Sequence, residues 1–524
     1  MPQDRATVTP LTALARPDEV KAAVLAWCAR LVTALRLAWT DPMVRRGTLG
    51  MALISAGSLT PAFLPPKAPV IQTLHLQWLG EGVGRVVSTM VLLAGLGLLV
   101  DAWLRLRPRD GRRVHSLTWV FWSLPVLLAP PLFSRDAYSY AAQGLIVQRG
   151  LDPYAYGPYW VPGQFADQVD PMWMLTPAPY GPLALQVQHL VVAVVGDNAY
   201  LAAVLMRVPA LVAVAALAWT LPRLAKRFGV GPAHALWLAV LNPLVIMHFV
   251  GGAHGDAVMV AFVALALYAA SRGRFWVGAA LIAVAASYKQ TGALALVGVL
   301  GMAMQADGTA GLGASARLRA LVRHGATLTL VTVASFAVVT AVTGLGWGWT
   351  SNLSVPASLR SLIAPPTFVG ASVEWFMNLA GMPLATAAAA VPIAQGIGLV
   401  VGLVSITVIV WRVAPRRPVL AAAGALLALV ASGPVIHPWY LLWGGVLLGA
   451  VRLSERATRA VIIVTLFFVT YGAVDATVSN GTWALGVSAA LWMIGRFVVS
   501  RRRPAEPERA LAPTATAAAV VGAR

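Results

Sequence analysis

The sequence SLTWVFWSLPVLLAPPLFSRDAYSYAAQG, residues 116–144, decides the class of this protein. It opens with a run of about 18 mostly apolar residues, and Asp136 follows directly after that run. Such a run is typical of a membrane-spanning helix. The Asp136 carboxylate is therefore predicted where a helix meets water, and there it must be solvated, paired or used in chemistry.

The same pattern recurs along the whole chain. Hydrophobic residues make up 59% of the 524 residues and charged residues only 11%. This composition predicts an all-α polytopic membrane protein with about 14 transmembrane helices and a range of about 12 to 16. The predicted spans are 48–66, 85–104, 116–133, 199–221, 233–250, 256–271, 275–288, 290–304, 325–345, 387–411, 418–434, 438–451, 460–474 and 482–499.

The net charge of +20 comes from 39 basic residues, of which only four are lysines. In a soluble protein this charge would suggest a nucleic-acid partner. Here the arginines cluster in short tracts between apolar runs, which is typical of topology signals. If both termini lie inside, every tract falls on the inner side, so that orientation is predicted and no nucleic-acid partner is expected.

The chain divides into three predicted parts. Residues 1–47 form an inner N-terminal segment with an amphipathic stretch, residues 48–500 form the membrane domain, and residues 501–524 form a disordered tail. Two large outer loops, 134–198 and 346–386, are rich in Trp, Tyr, Pro and Gly. These residue types suit sugar stacking and interfacial anchoring equally well.

Two segments depart from simple crossing helices. Residues 181–197 are apolar, but a crossing there would put a basic tract outside, so they are predicted to lie in the outer interface. Residues 275–304 contain two short apolar runs that meet at SYKQTG. Short helices that meet part-way into the membrane would carry Lys289 into an outward-open cavity.

The acidic residues indicate where chemistry takes place. Nine of the nineteen fall on the predicted outer side, where few bases are available to pair with them. Glycosyl transfer from a lipid-linked phosphosugar would use such a carboxylate to accept the proton of the attacking hydroxyl while one phosphate departs. Because a monophosphate leaves little charge to neutralise, and no Asp-x-Asp or His/Cys cluster occurs on the outer side, no metal or other cofactor is predicted.

Several motifs in a fixed order carry a family resemblance. They are FSRDAYSYAAQG (133–144), GLDPYAYGP (150–158), APYGPL (178–183), LNPLVIMHFVGGAHGD (241–256), SYKQTG (287–292) and HPWYLLW (437–443). Over residues 48–500 the chain resembles the actinobacterial polyprenyl-phosphate-mannose-dependent α-1,6-mannosyltransferases of the GT-C superfamily. In that superfamily the first large outer loop usually follows the first span, so the chain departs from the pattern by two extra leading spans.

The resemblance implies a specific reaction and location. Mannose would move, with inversion, from a β-linked polyprenyl-phosphate mannose to the 6-hydroxyl of a lipid-linked mannan or phosphatidylinositol mannoside. The reaction would belong to lipomannan and lipoarabinomannan synthesis. The enzyme would lie among the lipids of the bacterial inner membrane, with its active site on the periplasmic side and both termini cytoplasmic.

The resemblance matches Asp136 to the general base. A structural cap, or a salt bridge to Arg135 or Arg149, is the alternative interpretation. Asp256 is the second choice of base, and it is equally suited to capping the helix that it starts.

The other candidate residues fall into two groups. Donor-phosphate contacts are predicted for Lys289, His437, Arg207 and Arg360, although an intramembrane Arg207 is equally suited to pairing with a buried carboxylate. Sugar or acceptor contacts are predicted for His254, Tyr440, Trp439, Tyr140 and Asp152. The alternatives are interfacial anchoring for Tyr440 and Trp439, helix packing for Tyr140 and turn formation for Asp152.

Two other functions stay open at the level of sequence. A GT-C enzyme that uses another polyprenyl-phosphate sugar shares every physical argument above. A transporter or flippase of lipid-linked sugars would also have many spans and a few buried charges. The sequence does not predict the oligomeric state.

Overall fold

The structure is a computed structural model, and it describes residues 17–59, 69–108, 113–311, 313–355 and 359–478. All regular secondary structure in these ranges is helical. The predicted all-α class is therefore confirmed. The predicted span 482–499 and the tail 501–524 lie outside the described residues, as do residues 1–16.

The leading part of the chain contains three long helices, Pro17–Thr40, Pro42–Gly57 and Gly82–Arg105. The second and third pack so closely that a Cβ atom at Gly50 would lie 2.7 Å from the carbonyl oxygen of Gly95. Glycines allow such close approach between apolar helices. These two helices are the counterparts of the first two predicted spans.

Only half of the predicted span 116–133 is helical, which corrects the prediction. Only Thr118–Ser123 and Leu124–Val126 are helical, and the chain is irregular from there to Asp136. Pro125, Pro130 and Pro131 account for this, because proline removes a backbone donor and disfavours helix in the residue before it.

The first large loop holds three short helices and two longer ones. They are Asp136–Gln148, Pro158–Trp160, Gln164–Asp167, Pro171–Trp173 and Pro182–Val195. The last of these is the helix predicted for residues 181–197. Its placement in the membrane interface stays a prediction.

The middle of the chain contains the two broken segments on which the site is built. The helices are Ala199–Leu205, Arg207–Arg227, Pro232–Ala235, Leu236–Val240, Val245–Gly251, Asp256–Ala270, Phe275–Tyr288, Gln290–Ala295 and Leu296–Ala306. Pro232–Val240 and Val245–Gly251 bend by 61° at a break that contains Pro243. A second break occurs at Lys289, whose backbone is extended between two helices, as SYKQTG predicted.

The regular elements after residue 313 are also helices. The helices are Ala314–Thr343, Gly348–Asn352, Pro365–Leu379, Leu384–Ala388, Ala390–Val408, Ile409–Val413, Pro418–Ser432, Pro438–Leu441, Leu442–Gly445, Val446–Ala450 and Glu455–Val478.

Five helices among the described residues are long and apolar enough to cross a membrane, or six if the bent pair counts as one span. Five shorter apolar helices accompany them. In Leu384–Val413 only 11% of the most apolar window is buried by protein, which fits a helix that faces lipid. The fold is that of a multi-pass membrane protein, and the predicted number of 14 crossings is not confirmed.

Candidate active site

Asp136 is the first residue of the helix Asp136–Gln148, which we call the site helix. Its backbone N–H donates to the Ser134 hydroxyl over 3.0 Å. The helix N-cap is Arg135, so Asp136 is not the cap. Within the described chain the ionisable neighbour of the Asp136 carboxylate is His254, not Arg135 or Arg149. Neither structural alternative therefore accounts for Asp136.

His254 faces Asp136, and a backbone carbonyl on the other side of its ring fixes the orientation of the imidazole. Its Nδ1 lies 2.8 Å from the carbonyl oxygen of His248. A carbonyl only accepts, so Nδ1 carries the proton and, in a neutral ring, Nε2 carries a lone pair. Nε2 lies 3.7 Å from Oδ2 of Asp136. A proton placed between these two acceptors would bond to both.

The HPWY segment stacks against His254. The Trp439 ring lies 3.9 Å from the His254 ring, centroid to centroid, and 4.5 Å from the His437 ring on a nearly parallel plane. Burial lowers the pKa of the His437 imidazole to about 4. At neutral pH, His437 therefore offers a phosphate a hydrogen bond but no positive charge.

Lys289 supplies the positive charge of the site. Its Nζ lies 2.7 Å from Oδ1 of Asp256, 4.7 Å from the Tyr440 ring centroid and 4.9 Å from the Trp443 ring centroid. The Trp443 indole N–H donates to the same Asp256 oxygen over 2.5 Å. Aromatic faces and one carboxylate hold the ammonium in place, and two of its three N–H groups are left for other acceptors.

Asp256 is held too firmly to be a free proton acceptor. Its side chain is almost fully buried and both hydrogen bonds described above converge on Oδ1. It begins the helix Asp256–Ala270 without acting as N-cap, since the N-cap position is Gly255. The geometry therefore favours Asp256 as the counter-ion of Lys289 over its predicted role as second-choice base.

Two adjoining pockets meet at the site. One has a cavity volume of about 50 Å³ and is lined by Asp136, Ser139, Gln143, Trp173, Thr176, Pro177, Pro179, Tyr180, Val355, Leu359, His437 and Tyr440. The other has a cavity volume of about 210 Å³, is largely apolar and contains Lys289 and Trp443. Tyr180 and Tyr440 line both. A ligand with a polar head and an apolar tail can therefore reach from Asp136 past Lys289 into an apolar channel.

A close backbone contact fixes the wall between the pockets. The Gly181 N–H donates to the Tyr288 carbonyl over 3.2 Å. A Cβ atom at position 181 would lie 2.2 Å from the carbonyl oxygen of Ser287. Glycine is therefore required at position 181, and the APYGPL loop is held against the SYKQTG break that carries Lys289.

Arg207 is bonded to the backbone. Its guanidinium donates to five backbone carbonyls, those of Leu127, Ala129, Pro130, Val250 and Gly251, over 2.6–3.2 Å. These bonds use all five of its donors.

Three of the five carbonyls belong to the irregular segment that leads to Asp136, and the other two end the helix Val245–Gly251, which precedes His254. Arg207 therefore has a structural role in joining them, in place of the predicted phosphate contact and of the alternative pairing with a carboxylate. The backbone is strained close to the segments that Arg207 joins. Phe133 and Ala253 both have positive φ angles, of 59° and 55°. Such strain is common at functional sites.

Three other residues that were predicted to bind the substrate do not line the first pocket. Arg360 is exposed and pairs with Glu374 over 2.7 Å. The Asp152 carboxylate accepts from the Tyr154 N–H over 2.8 Å, so it forms the turn that was its alternative interpretation. Tyr140 is buried and packs edge-on against Tyr180 at 5.3 Å.

The structure adds residues that the sequence interpretation did not select. Ser139, Gln143 and Trp173 line the first pocket, and Trp443 holds Lys289 and Asp256. Ser139 and Gln143 follow Asp136 at helical spacing, which could have identified them. Among the described residues no three His, Cys, Asp or Glu side chains form a group that could hold a metal, and metal independence stays a prediction.

Two family models match this chain. A family model described as "Alpha-(1->6)-mannopyranosyltransferase, N-terminal domain" matches residues 44–306, and one described as "MptB C-terminal domain" matches residues 366–502. The chain is 34% identical to alpha-(1->6)-mannopyranosyltransferase A of Mycobacterium tuberculosis, over 80% of this chain and 81% of that protein.

Two proteins of Corynebacterium glutamicum are also similar. Identity is 31% to alpha-(1->6)-mannopyranosyltransferase A, over 79% of this chain and 90% of the relative. Identity is 30% to alpha-(1->6)-mannopyranosyltransferase B, over 78% of this chain and 72% of the relative. Together, fold, site and relatives define a multi-pass membrane glycosyltransferase. The chain belongs to the alpha-(1->6)-mannopyranosyltransferase family, as its motifs predicted.

Proposed function

We propose that this protein transfers mannose from polyprenyl-phosphate mannose to the 6-hydroxyl of a lipid-linked α-1,6-mannan, with inversion and without a metal. The observation that carries the proposal is the pair of adjoining pockets. One contains a carboxylate that a hydroxyl can reach, and the other combines a cation with an apolar channel suited to a polyprenyl chain.

In the proposed reaction Asp136 removes the proton from the acceptor hydroxyl. That oxygen attacks C1 of the donor mannose, and the bond between C1 and the phosphate oxygen breaks. The polyprenyl phosphate leaves with the electron pair, and Lys289 stabilises its charge while His437 donates a hydrogen bond. Attack opposite the leaving group converts a β-linked donor into an α-linked product.

The proposed setting is the outer face of the bacterial inner membrane, with both termini cytoplasmic. The distribution of arginine tracts supports this orientation. The product would contribute to lipomannan and lipoarabinomannan.

The test is a transfer assay with purified protein in vesicles that contain radiolabelled polyprenyl-phosphate mannose. A synthetic α-1,6-mannotriose is the acceptor, and the product is digested with a linkage-specific α-mannosidase. The proposal requires a labelled tetrasaccharide that this digestion removes, and at least about 100-fold less of it from Asp136→Asn vesicles.

Other results would redirect the proposal. Transfer only from a different polyprenyl-phosphate sugar would assign another donor. Movement of the intact lipid between leaflets with no transfer would indicate transport.

A further inference from the structure

Three side chains on one face of the site helix line the first pocket: Asp136, Ser139 and Gln143. Their spacing of three and then four residues sets them in one row along the helix. A rise of about 1.5 Å per residue puts Ser139 about 4.5 Å and Gln143 about 10.5 Å from Asp136 along the axis. The row thus begins at the proposed base and continues for two turns along the pocket wall.

Ser139 and Gln143 are buried but incompletely bonded. They are 4% and 5% exposed. Within the described part of the chain, Ser139 Oγ and Gln143 Oε1 have no hydrogen-bond partner. A buried polar atom without a partner costs about 1–3 kcal/mol. Because both side chains line the pocket, a hydroxyl of a bound ligand is the group available to complete their bonding.

The same pocket offers an aromatic surface. Trp173 lines it together with Thr176, and Tyr180 closes it toward the second pocket. An indole face packs against the C–H groups of a pyranose ring, while amide and hydroxyl groups bond to its hydroxyls. This combination is suited to a carbohydrate and not to a phosphate or a lipid chain. The pocket's charged side chain, Asp136, is anionic.

We propose that Ser139 and Gln143 bind the hydroxyls of the acceptor and form a subsite for successive hexopyranose units. The inference rests on the proposed function, in which Asp136 contacts the attacking hydroxyl. The ring that carries this hydroxyl must then lie beside Asp136, so Ser139 contacts that ring and Gln143 contacts the next one. The donor phosphate is bound in the other pocket, by Lys289.

The test separates acceptor binding from donor binding. Gln143→Leu and Ser139→Ala should raise the KM for α-1,6-mannotriose about tenfold, the loss of one hydrogen bond, and leave the donor KM within about twofold. Gln188→Leu is the matched control. Gln188 is equally buried and its Oε1 also has no partner in the described chain, but it does not line the pocket. Its kinetic constants should not change.

Binding supplies a second readout that does not depend on turnover. In an Asp136→Asn background, calorimetric titration with α-1,6-mannotriose should show weaker binding after Gln143→Leu or Ser139→Ala and unchanged binding after Gln188→Leu. The subsite proposal is overturned if both pocket variants keep the acceptor affinity of the parent protein. It is also overturned if they raise the donor KM and not the acceptor KM. Failure of the wild-type protein to transfer mannose would count against the proposed function. The titration does not depend on transfer, so it would still test the subsite.

Discussion

Nε2 of His254 faces Oδ2 of Asp136 across 3.7 Å, and the His248 carbonyl fixes the proton of the His254 ring on Nδ1. In a neutral ring both facing atoms are acceptors. The pair becomes favourable once a proton lies between them, which happens when Asp136 has taken one from a substrate hydroxyl. The arrangement thus stabilises a state formed during the reaction more than the resting state.

Replacement of the base is the first prediction. Asp136→Asn should lower kcat by about 10² to 10⁴-fold, because the amide keeps the shape of the carboxylate but cannot accept the proton. The transfer assay measures the loss, and gel filtration in detergent checks folding. Asp152→Asn is the control and should retain activity. If Asp136→Asn kept more than about a tenth of wild-type activity, another group would have to be the base.

Removal of the facing imidazole is the second prediction. His254→Phe preserves the stacking on Trp439 but removes the acceptor. Protonated Asp136 then loses its hydrogen-bond partner, so kcat should fall about tenfold, the loss of one hydrogen bond. The transfer assay is the measurement, and gel filtration in detergent checks folding. A kcat within about twofold of wild type would mean that the imidazole does not act on Asp136.

The third prediction concerns the donor phosphate. Lys289→Met should raise the donor KM at least about tenfold and leave acceptor KM unchanged, because a cation beside the leaving group is lost. Lys226→Met, at the end of the helix Arg207–Arg227, is the control. Unchanged donor kinetics in Lys289→Met would place the phosphate elsewhere.

The fourth prediction separates structure from catalysis at Arg207. Arg207→Met leaves five buried carbonyls without their donor, so the melting temperature and the yield of folded protein should fall sharply. Arg223→Met alters an exposed arginine of the same helix and should have little effect. A folded, thermally normal Arg207→Met protein with a raised donor KM would restore the phosphate role.

The fifth prediction concerns metal. Transfer should persist in excess EDTA, because Lys289 supplies the positive charge for a monophosphate leaving group. The assay is repeated with and without chelator, followed by addition of Mg²⁺ or Mn²⁺. Loss of activity that one of these ions restores would make Asp136 a metal ligand.

Much of the fold follows from the sequence because each helix is a local pattern. Apolar runs mark the helices, and SYKQTG marks the break at Lys289. The span predicted at 116–133 was wrong where prolines interrupt an apolar run. A buried helix and a buried irregular segment both need apolar side chains. Hydropathy therefore does not distinguish a helix from an irregular segment whose backbone carbonyls are bonded by other parts of the protein.

The site was harder to predict because its contacts join distant parts of the chain. Asp136 and Lys289 could be selected as charges at helix breaks. The contact between His254 and Asp136, and the five carbonyls that saturate Arg207, depend on tertiary packing. A charge in an apolar helix looks the same in sequence whether it binds a ligand or the backbone.

Trp103 and Trp237 share a reciprocal contact. Each indole N–H donates to the other residue's carbonyl oxygen, over 2.8 and 2.7 Å, and the two rings stack at 5.3 Å. Trp103 lies in the helix Gly82–Arg105 and Trp237 in the helix Leu236–Val240. The contact therefore couples a leading helix to the bent pair that carries His248. During biosynthesis the helix Gly82–Arg105 is made before residue 237. The Trp103 indole N–H therefore has no Trp237 carbonyl to bond until that residue has been made. The contact that anchors this helix can form only after the bent pair has been synthesised.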